Sequence, residues 1–129
     1  MADAKTSLRV LIVDDDPDIV DAVSFALEQE GYTVFIARNG DEGIMLAEQH
    51  NPDLVLLDMM MPKRSGFLVL EKLRRANHTP VRIIMMTANE GNRHRTYAES
   101  LGVDAYLNKP VPINDLLVRI RALFANDEE

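Results

Sequence analysis

Five polar residues of this 129-residue chain stand where short apolar runs end. Asp14 and Asp15 close the run VLIV at 10–13, Asp58 closes LVLL at 54–57, and Thr87 closes IIMM at 83–86. Lys109, ahead of Pro110, follows Ala105-Tyr106-Leu107. If the three carboxylates converge, each pair within about 5 Å repels by a few kcal/mol at an effective dielectric near 20. Either one acid is protonated or a cation binds. An all-oxygen site with few protein ligands suits Mg²⁺, which keeps several waters and favours sites shared with phosphate. Lys109 would bring a second positive charge. A carboxylate flanked by a divalent cation, an ammonium and the Thr87 hydroxyl is equipped to attack phosphorus, and the product is an aspartyl phosphate.

Each residue also has a plainer reading. Asp14, Asp15 and Asp16 precede Pro17 and can simply cap a helix and favour its positive end. Thr87 alone reads as a strand-end hydroxyl satisfied by backbone, and Lys109 alone as a solvated loop charge. Only their conjunction, with Asp58 behind a wholly aliphatic run, points to chemistry.

The elements that must position these residues are legible. V10-L11-I12-V13, Y32-T33-V34-F35-I36, L54-V55-L56-L57 and I83-I84-M85-M86 are short apolar runs without polar alternation, which reads as strands buried on both faces; Ala105-Tyr106-Leu107 is a fifth. Between them the spacing is helical. Pro17 to about Glu30 carries a stripe of Ile19, Val20, Val23, Ala26 and Leu27, with Asp16 as N-cap and Gly31 as stop. Gly40 to His50 is a weaker helix, because Gly43 inside it costs roughly 1 kcal/mol against Ala, and Asn51-Pro52 ends it. Ser65 caps a helix carrying Leu70 and Leu73. Another, between Glu90 and Leu101, buries Tyr97, Ala98 and Leu101 and is closed by Gly102. The last carries Ile113, Leu116, Leu117, Ile120, Leu123 and Phe124 on one face.

Strict βα alternation, five times over, implies an α/β fold with a parallel sheet covered on both faces. In such a sheet the functional crevice lies outside the carboxyl ends of the strands, which is where the five polar residues fall. The chain reads as a single domain over residues 1–129, its core 8–125, with Asn126-Asp127-Glu128-Glu129 a frayed acidic tail.

Composition narrows the function classes. Hydrophobic residues make up 47% and charged residues 27%, an ordinary globular balance. A net charge of -7 argues against unaided nucleic-acid binding. The absence of cysteine excludes disulfides, thiolate metal sites and cysteine nucleophiles. The opening MADAKTSL has no signal-peptide apolar region, and no apolar run approaches the ~20 residues of a membrane span, so a cytoplasmic protein without membrane association is expected.

"VLIVDDDPD", "PDLVLLDMMMPKRSG", "IIMMTA" and "GVDAYLNKPV" resemble, in order and spacing, the successive motifs of the response-regulator receiver domain of two-component signalling, over residues 8 to about 125. The resemblance, and not the periodicity of the chain, implies a doubly wound, flavodoxin-like (βα)5 fold with strand order 2-1-3-4-5. It implies Asp58 as phosphoacceptor, Asp14 and Asp15 as the acidic pair holding Mg²⁺, and Met60 as the residue whose backbone carbonyl is a further ligand. It also implies Thr87 as the switch hydroxyl, Lys109 as the phosphoryl-pairing lysine, Tyr106 as the aromatic that turns inward, and a cis bond between Lys109 and Pro110. Asp16 is left as an N-cap. Met59, Met61, Met85 and Met86 read as packing residues, and His50, His78 and His94 have no metal spacing.

The expected function is that of a signalling receiver, not an enzyme acting on a separate substrate. Phosphoryl passes to Asp58 from a histidine kinase or a histidine phosphotransfer protein. Thr87 and Lys109 are drawn toward the added charge, and the face of the fourth helix, fifth strand and fifth helix changes for a downstream protein partner. Met60 and Asn89, two residues after Asp58 and Thr87, offer positions that tune attack of water, and Met60 provides no hydrogen bond to orient it, so slow self-dephosphorylation is expected. The final helix, with Arg119 and Arg121, resembles that of receivers which dimerise, but Ala105 stands where an acid is often found, and two solvated arginines are the simpler expectation. Two other classes stay open: a haloacid-dehalogenase-type phosphatase with Asp14 as nucleophile, from the D-x-D spacing of Asp14 to Asp16, and a phosphate-independent pseudo-receiver binding module. A complete single-domain regulator and a receiver cut from a longer protein are equally consistent with the sequence.

Overall fold

The computed structural model describes residues 8–59, 61, 65–76, 81–88 and 92–125, with Ala76 and Asn92 described by backbone alone. Ten elements alternate: β1 (Arg9–Val13), α1 (Pro17–Gln29), β2 (Thr33–Ala37), α2 (Gly40–His50), β3 (Leu54–Asp58), α3 (Gly66–Ala76), β4 (Arg82–Thr87), α4 (Asn92–Ser100), β5 (Ala105–Asn108) and α5 (Ile113–Phe124). The strands form one parallel sheet in the order β2-β1-β3-β4-β5, so the expected fold is the observed one.

Successive strand side chains point to opposite faces, and the core divides accordingly. Val10, Ile12, Leu54, Leu56, Ile84 and Met86 pack with Val20, Val23 and Leu27 of α1 and with Leu116, Leu117 and Ile120 of α5. Leu11, Val13, Val55, Leu57, Ile83 and Met85 face the other way, onto Ala47 of α2, Val69, Leu70 and Leu73 of α3, and Ala98 of α4. Two layers of helix therefore cover one sheet, which is why its central runs carry no polar alternation. Burial on both faces, expected for every strand, holds for β1, β3 and β4. It fails at the edges: Thr33 of β2 and Asn108 of β5 are exposed, because an edge strand has a neighbour on one side only.

Helix ends follow their caps. Asp16 accepts the Asp18 N–H at 3.0 Å, and Pro17 opens α1. The Ser65 hydroxyl oxygen lies 3.4 Å from the Leu68 nitrogen, at the start of α3. Gly31 and Gly102, at φ of 91° and 93°, take the left-handed conformation that stops α1 and α4. Two expectations need correction. Tyr97 is 49% exposed rather than buried, because α4 turns Ala98 onto the sheet and leaves Tyr97 against Phe67 at its margin, ring centroids 5.0 Å apart. Gly43 is no mere weak point in α2: a Cβ there would stand 2.9 Å from Val13 Cγ1, so its absence lets α2 lie directly on β1.

Candidate functional site

Register brings the sequence-predicted acids together. In the β1–β3 pairing Val10 meets Leu54 and Val13 meets Leu57, so Asp14 and Asp58 leave the sheet side by side. Backbone bonds hold these strand ends in place: the Asp14 N–H donates to Ala37 O at 3.0 Å, the Met59 N–H to Met86 O at 3.1 Å and the Lys109 N–H to Thr87 O at 2.7 Å. The reversal of strand order about β1 and β3 places this edge at the switch point of the sheet, where doubly wound folds open their crevice.

One carboxylate oxygen from each of Asp14, Asp15 and Asp58 lies within 4.8 Å of the others. Asp14 is fully buried, Asp58 is 5% exposed and Asp15 faces solvent. The Lys109 ammonium donates to Asp14 Oδ2 at 3.0 Å and stands 3.4 Å from Asp58 Oδ1. Burial disfavours that ammonium, but the hydrogen bond to Asp14 and the charges of Asp58 and Asp14 outweigh it, and the Lys109 pKa rises above its ordinary value. The other Asp14 oxygen accepts the Asp16 N–H at 3.0 Å, so this buried carboxylate is bonded on both sides. Three acids against one ammonium leave a formal excess of two negative charges, each pair of carboxylates repelling by about 3 kcal/mol at this spacing. Clustered carboxylate oxygens with an uncompensated charge, one of them open to solvent, are a donor set suited to a hard divalent cation such as Mg²⁺.

Thr87 ends β4 fully buried, one strand over from Asp58, and the Lys109–Pro110 bond is cis. Tyr106 lies inward, 5% exposed, its hydroxyl 3.8 Å from the Met59 sulfur. Met59, Met85 and Met86 are buried; Met61 packs on the same side of the sheet as Met59 and Met85, while Met86 faces the other side, and all four are packing residues as expected. Met60, whose carbonyl was expected as a ligand, lies outside the described residues, as do Asn89, His78, the opening MADAKTS and the tail 126–129. His50 stacks on Phe35 with centroids 4.1 Å apart, and His94 of α4 lies beside Phe67 of α3, centroids 5.8 Å apart. Arg121 is not simply solvated: it reaches Glu30 at 3.1 Å and ties α5 to the end of α1.

Sequence reasoning missed Gly66. Its N–H donates to Met59 O at 2.8 Å, and a Cβ there would stand 2.4 Å from the Asp58 carbonyl oxygen. The start of α3 thus presses on the backbone of the acid itself. Its signal in the sequence is the Ser-Gly pair opening the helix, of which Ser65 alone reads as a cap.

Comparison with known proteins agrees with this arrangement. The family profile of the response regulator receiver domain matches residues 10–121. The DNA-binding dual master transcriptional regulator RpaA of Synechocystis sp. is 44% identical over 116 residues, which cover 89% of this chain and 48% of that protein. The chain thus spans about half the length of that relative. Among solved structures, a CheY-like response regulator receiver domain protein from Methanospirillum hungatei JF-1 superposes with a TM-score of 0.90 at 35% identity, covering 95% of this chain and 98% of the other. The CheX-CheY-BeF3-Mg+2 complex from Borrelia burgdorferi contains a chain that superposes at 0.85 with 28% identity, covering 91% and 89%. With the profile spanning most of its length and the acidic pocket at the expected sheet edge, the chain belongs to the response regulator receiver family of two-component signalling.

Proposed function

We propose that this chain is a phosphoacceptor receiver that takes a phosphoryl group from the phosphohistidine of a histidine kinase or histidine phosphotransfer protein onto Asp58. The observation that carries the reading is the meeting of Asp14, Asp15 and Asp58 within 4.8 Å, with the Lys109 ammonium 3.4 Å from Asp58. An Asp58 carboxylate oxygen attacks phosphorus, the new O–P bond forms as the P–N bond breaks, and the bonding pair leaves on the imidazole nitrogen. Lys109 follows the transferring oxygens, and the Thr87 hydroxyl donates to one of them. Asp14, Asp15, Asp58 and the Met60 carbonyl are the groups that would hold Mg²⁺. Bound there, the ion supplies neutralisation of charge on the phosphoryl oxygens. Tyr106 and the α4-β5-α5 face carry the change to a downstream protein partner.

The partners proposed are proteins. The net charge of -7 leaves this segment unsuited to nucleic acid, and DNA binding is named for a relative about twice its length. No helix among the described residues is long and apolar enough to cross a membrane, and the cytoplasm is the proposed location. Residues 1–129 are proposed to fold as one domain. Slow loss of phosphate remains part of the proposal through Met60, and faster loss in the wild type than in Met60→Asn would count against it.

Intact mass after incubation with acetyl phosphate tests the reading. The wild type should gain one phosphoryl group with Mg²⁺ and far less without it, while Asp58→Asn gains none. Retained labelling of Asp58→Asn, or turnover of phosphate lost in Asp14→Asn but kept in Asp58→Asn, would transfer the nucleophile elsewhere. Burial supports Asp58 over Asp14: Asp58 keeps 5% exposure, whereas Asp14 is fully buried.

A further inference from the structure

Tyr106 is gripped by two side chains that the phosphoryl chemistry does not use. Its hydroxyl donates to the Met59 sulfur at 3.8 Å, and the Arg95 guanidinium stands 5.8 Å from the centre of its ring. Met59 directly follows Asp58 and is 2% exposed. Its N–H and carbonyl are both bonded, to Met86 O at 3.1 Å and to the Gly66 N–H at 2.8 Å, so its backbone is pinned between β4 and α3. Arg95, exposed on α4, is steadied by Glu99 one turn on at 3.3 Å. A thioether accepting from the phenol hydroxyl and a cation over the ring are each modest attractions, and here they act on one side chain.

We infer that Met59 and Arg95 are positioning residues that hold Tyr106 in its inward place, giving the inward ring stabilisation of its own in addition to whatever Thr87 contributes. The inference rests on the reading of Tyr106 as the switch aromatic. Its consequence is regulatory. The balance between inward and outward rings is biased inward before the phosphoryl group acts, and phosphorylation of Asp58 adds only the remaining shift. Met59 also gives the phosphoacceptor's neighbour in the chain a direct contact with β5, parallel to the route through Thr87.

The test replaces tyrosine by 3-fluorotyrosine and follows residue 106, identified by its loss in Tyr106→Phe, by ¹⁹F NMR. Met59→Leu keeps nearly the same volume and removes the sulfur. The inward-to-outward ratio should fall by roughly two- to tenfold, the resonance moving toward that of an exposed ring. Arg95→Gln should move it the same way, while Arg95→Lys, which keeps a cation over the ring, should hold the wild-type position. Beryllofluoride with Mg²⁺ should drive the Met59→Leu resonance back inward and shift the wild type little. Superposition of the residue 106 resonance in Met59→Leu and Arg95→Gln on that of the wild type, with the fold intact, would overturn the inference. If Met59→Leu does not fold, the contrast between Arg95→Gln and Arg95→Lys decides it alone. Absence of a bound beryllofluoride signal in the wild type would instead sink the receiver reading, and the comparison of wild type with the variants before addition still decides the grip on Tyr106.

Discussion

Lys109 touches both buried carboxylates, so its removal leaves Asp14 and Asp58 facing each other without an ammonium between them. Its side chain is 15% exposed, which places the group in the range where breaking a charge pair is costly. Lys109→Ala should lower stability by about 3 kcal/mol without divalent cation, and Mg²⁺ should raise the melting temperature of the variant more than that of the wild type. An equal rise in both would show that Lys109 does not share the acids' charge. Tyr106 has a different signature. Burial raises its pKa above 10.0, against a smaller opposing effect of the Arg95 charge. Between the unfolded and folded values the native chain retains a proton that the unfolded chain releases. Its contribution to stability is therefore full below about pH 10 and lost as pH rises through the folded value. Alkaline titration at 295 nm should show a late component that disappears in Tyr106→Phe.

Helices meet the sheet at two glycines with unequal room to give way. At Gly66 an added methyl would collide with the Asp58 carbonyl oxygen at 2.4 Å and Met59 Cα at 2.7 Å, both backbone atoms. Gly66→Ala should therefore cost about 3 kcal/mol or more and slow labelling of Asp58, read by urea denaturation and acetyl phosphate incorporation on the same variant. At Gly43 the obstacle is the Val13 side chain at 2.9 Å, which can shift a little. Gly43→Ala should lose about 1 kcal/mol, although helix propensity alone predicts a gain of that size. The sign of the Gly43 result separates packing from propensity. The sequence shows a glycine within a helix at both places, but the atom each one faces belongs to another element some distance along the chain.

Across the whole molecule, Arg74 joins pieces that the sheet alone leaves loose. From α3 it donates to Val81 O at 2.5 Å and to Gly102 O at 2.6 Å and 3.0 Å, and it pairs with Asp104 at 3.0 Å. Asp104 in turn accepts the Ile83 N–H at 2.7 Å. One guanidinium thus fastens the start of β4, the end of α4 and the entry to β5. Arg74→Ala should cost about 1–2 kcal/mol, because the part-buried Val81 carbonyl and the more exposed Gly102 carbonyl lose a charged donor, and hydrogen exchange should quicken first around residues 81–83 and 102–105. Uniform quickening across the sheet would argue that Arg74 is not a local fastening.

What this chain's sequence determined by itself is what rests on local chemistry. Unbroken aliphatic runs made β1, β3 and β4 central strands, caps at Asp16 and Gly31 bounded α1, and each run delivered its polar residue to one end. These follow from side-chain period, backbone preference and the direction of the chain, which neighbouring residues set. Tertiary structure alone decided distances and partners. The pairing register sets Asp14 and Asp58 side by side, and side-chain contacts across elements bring Lys109 to both and Arg121 to Glu30. Tertiary packing decided likewise that Tyr97 faces solvent while Tyr106 lies inward against Met59. Such contacts join residues as far apart as 14 and 109, and their energy depends on close packing across elements that no local pattern records.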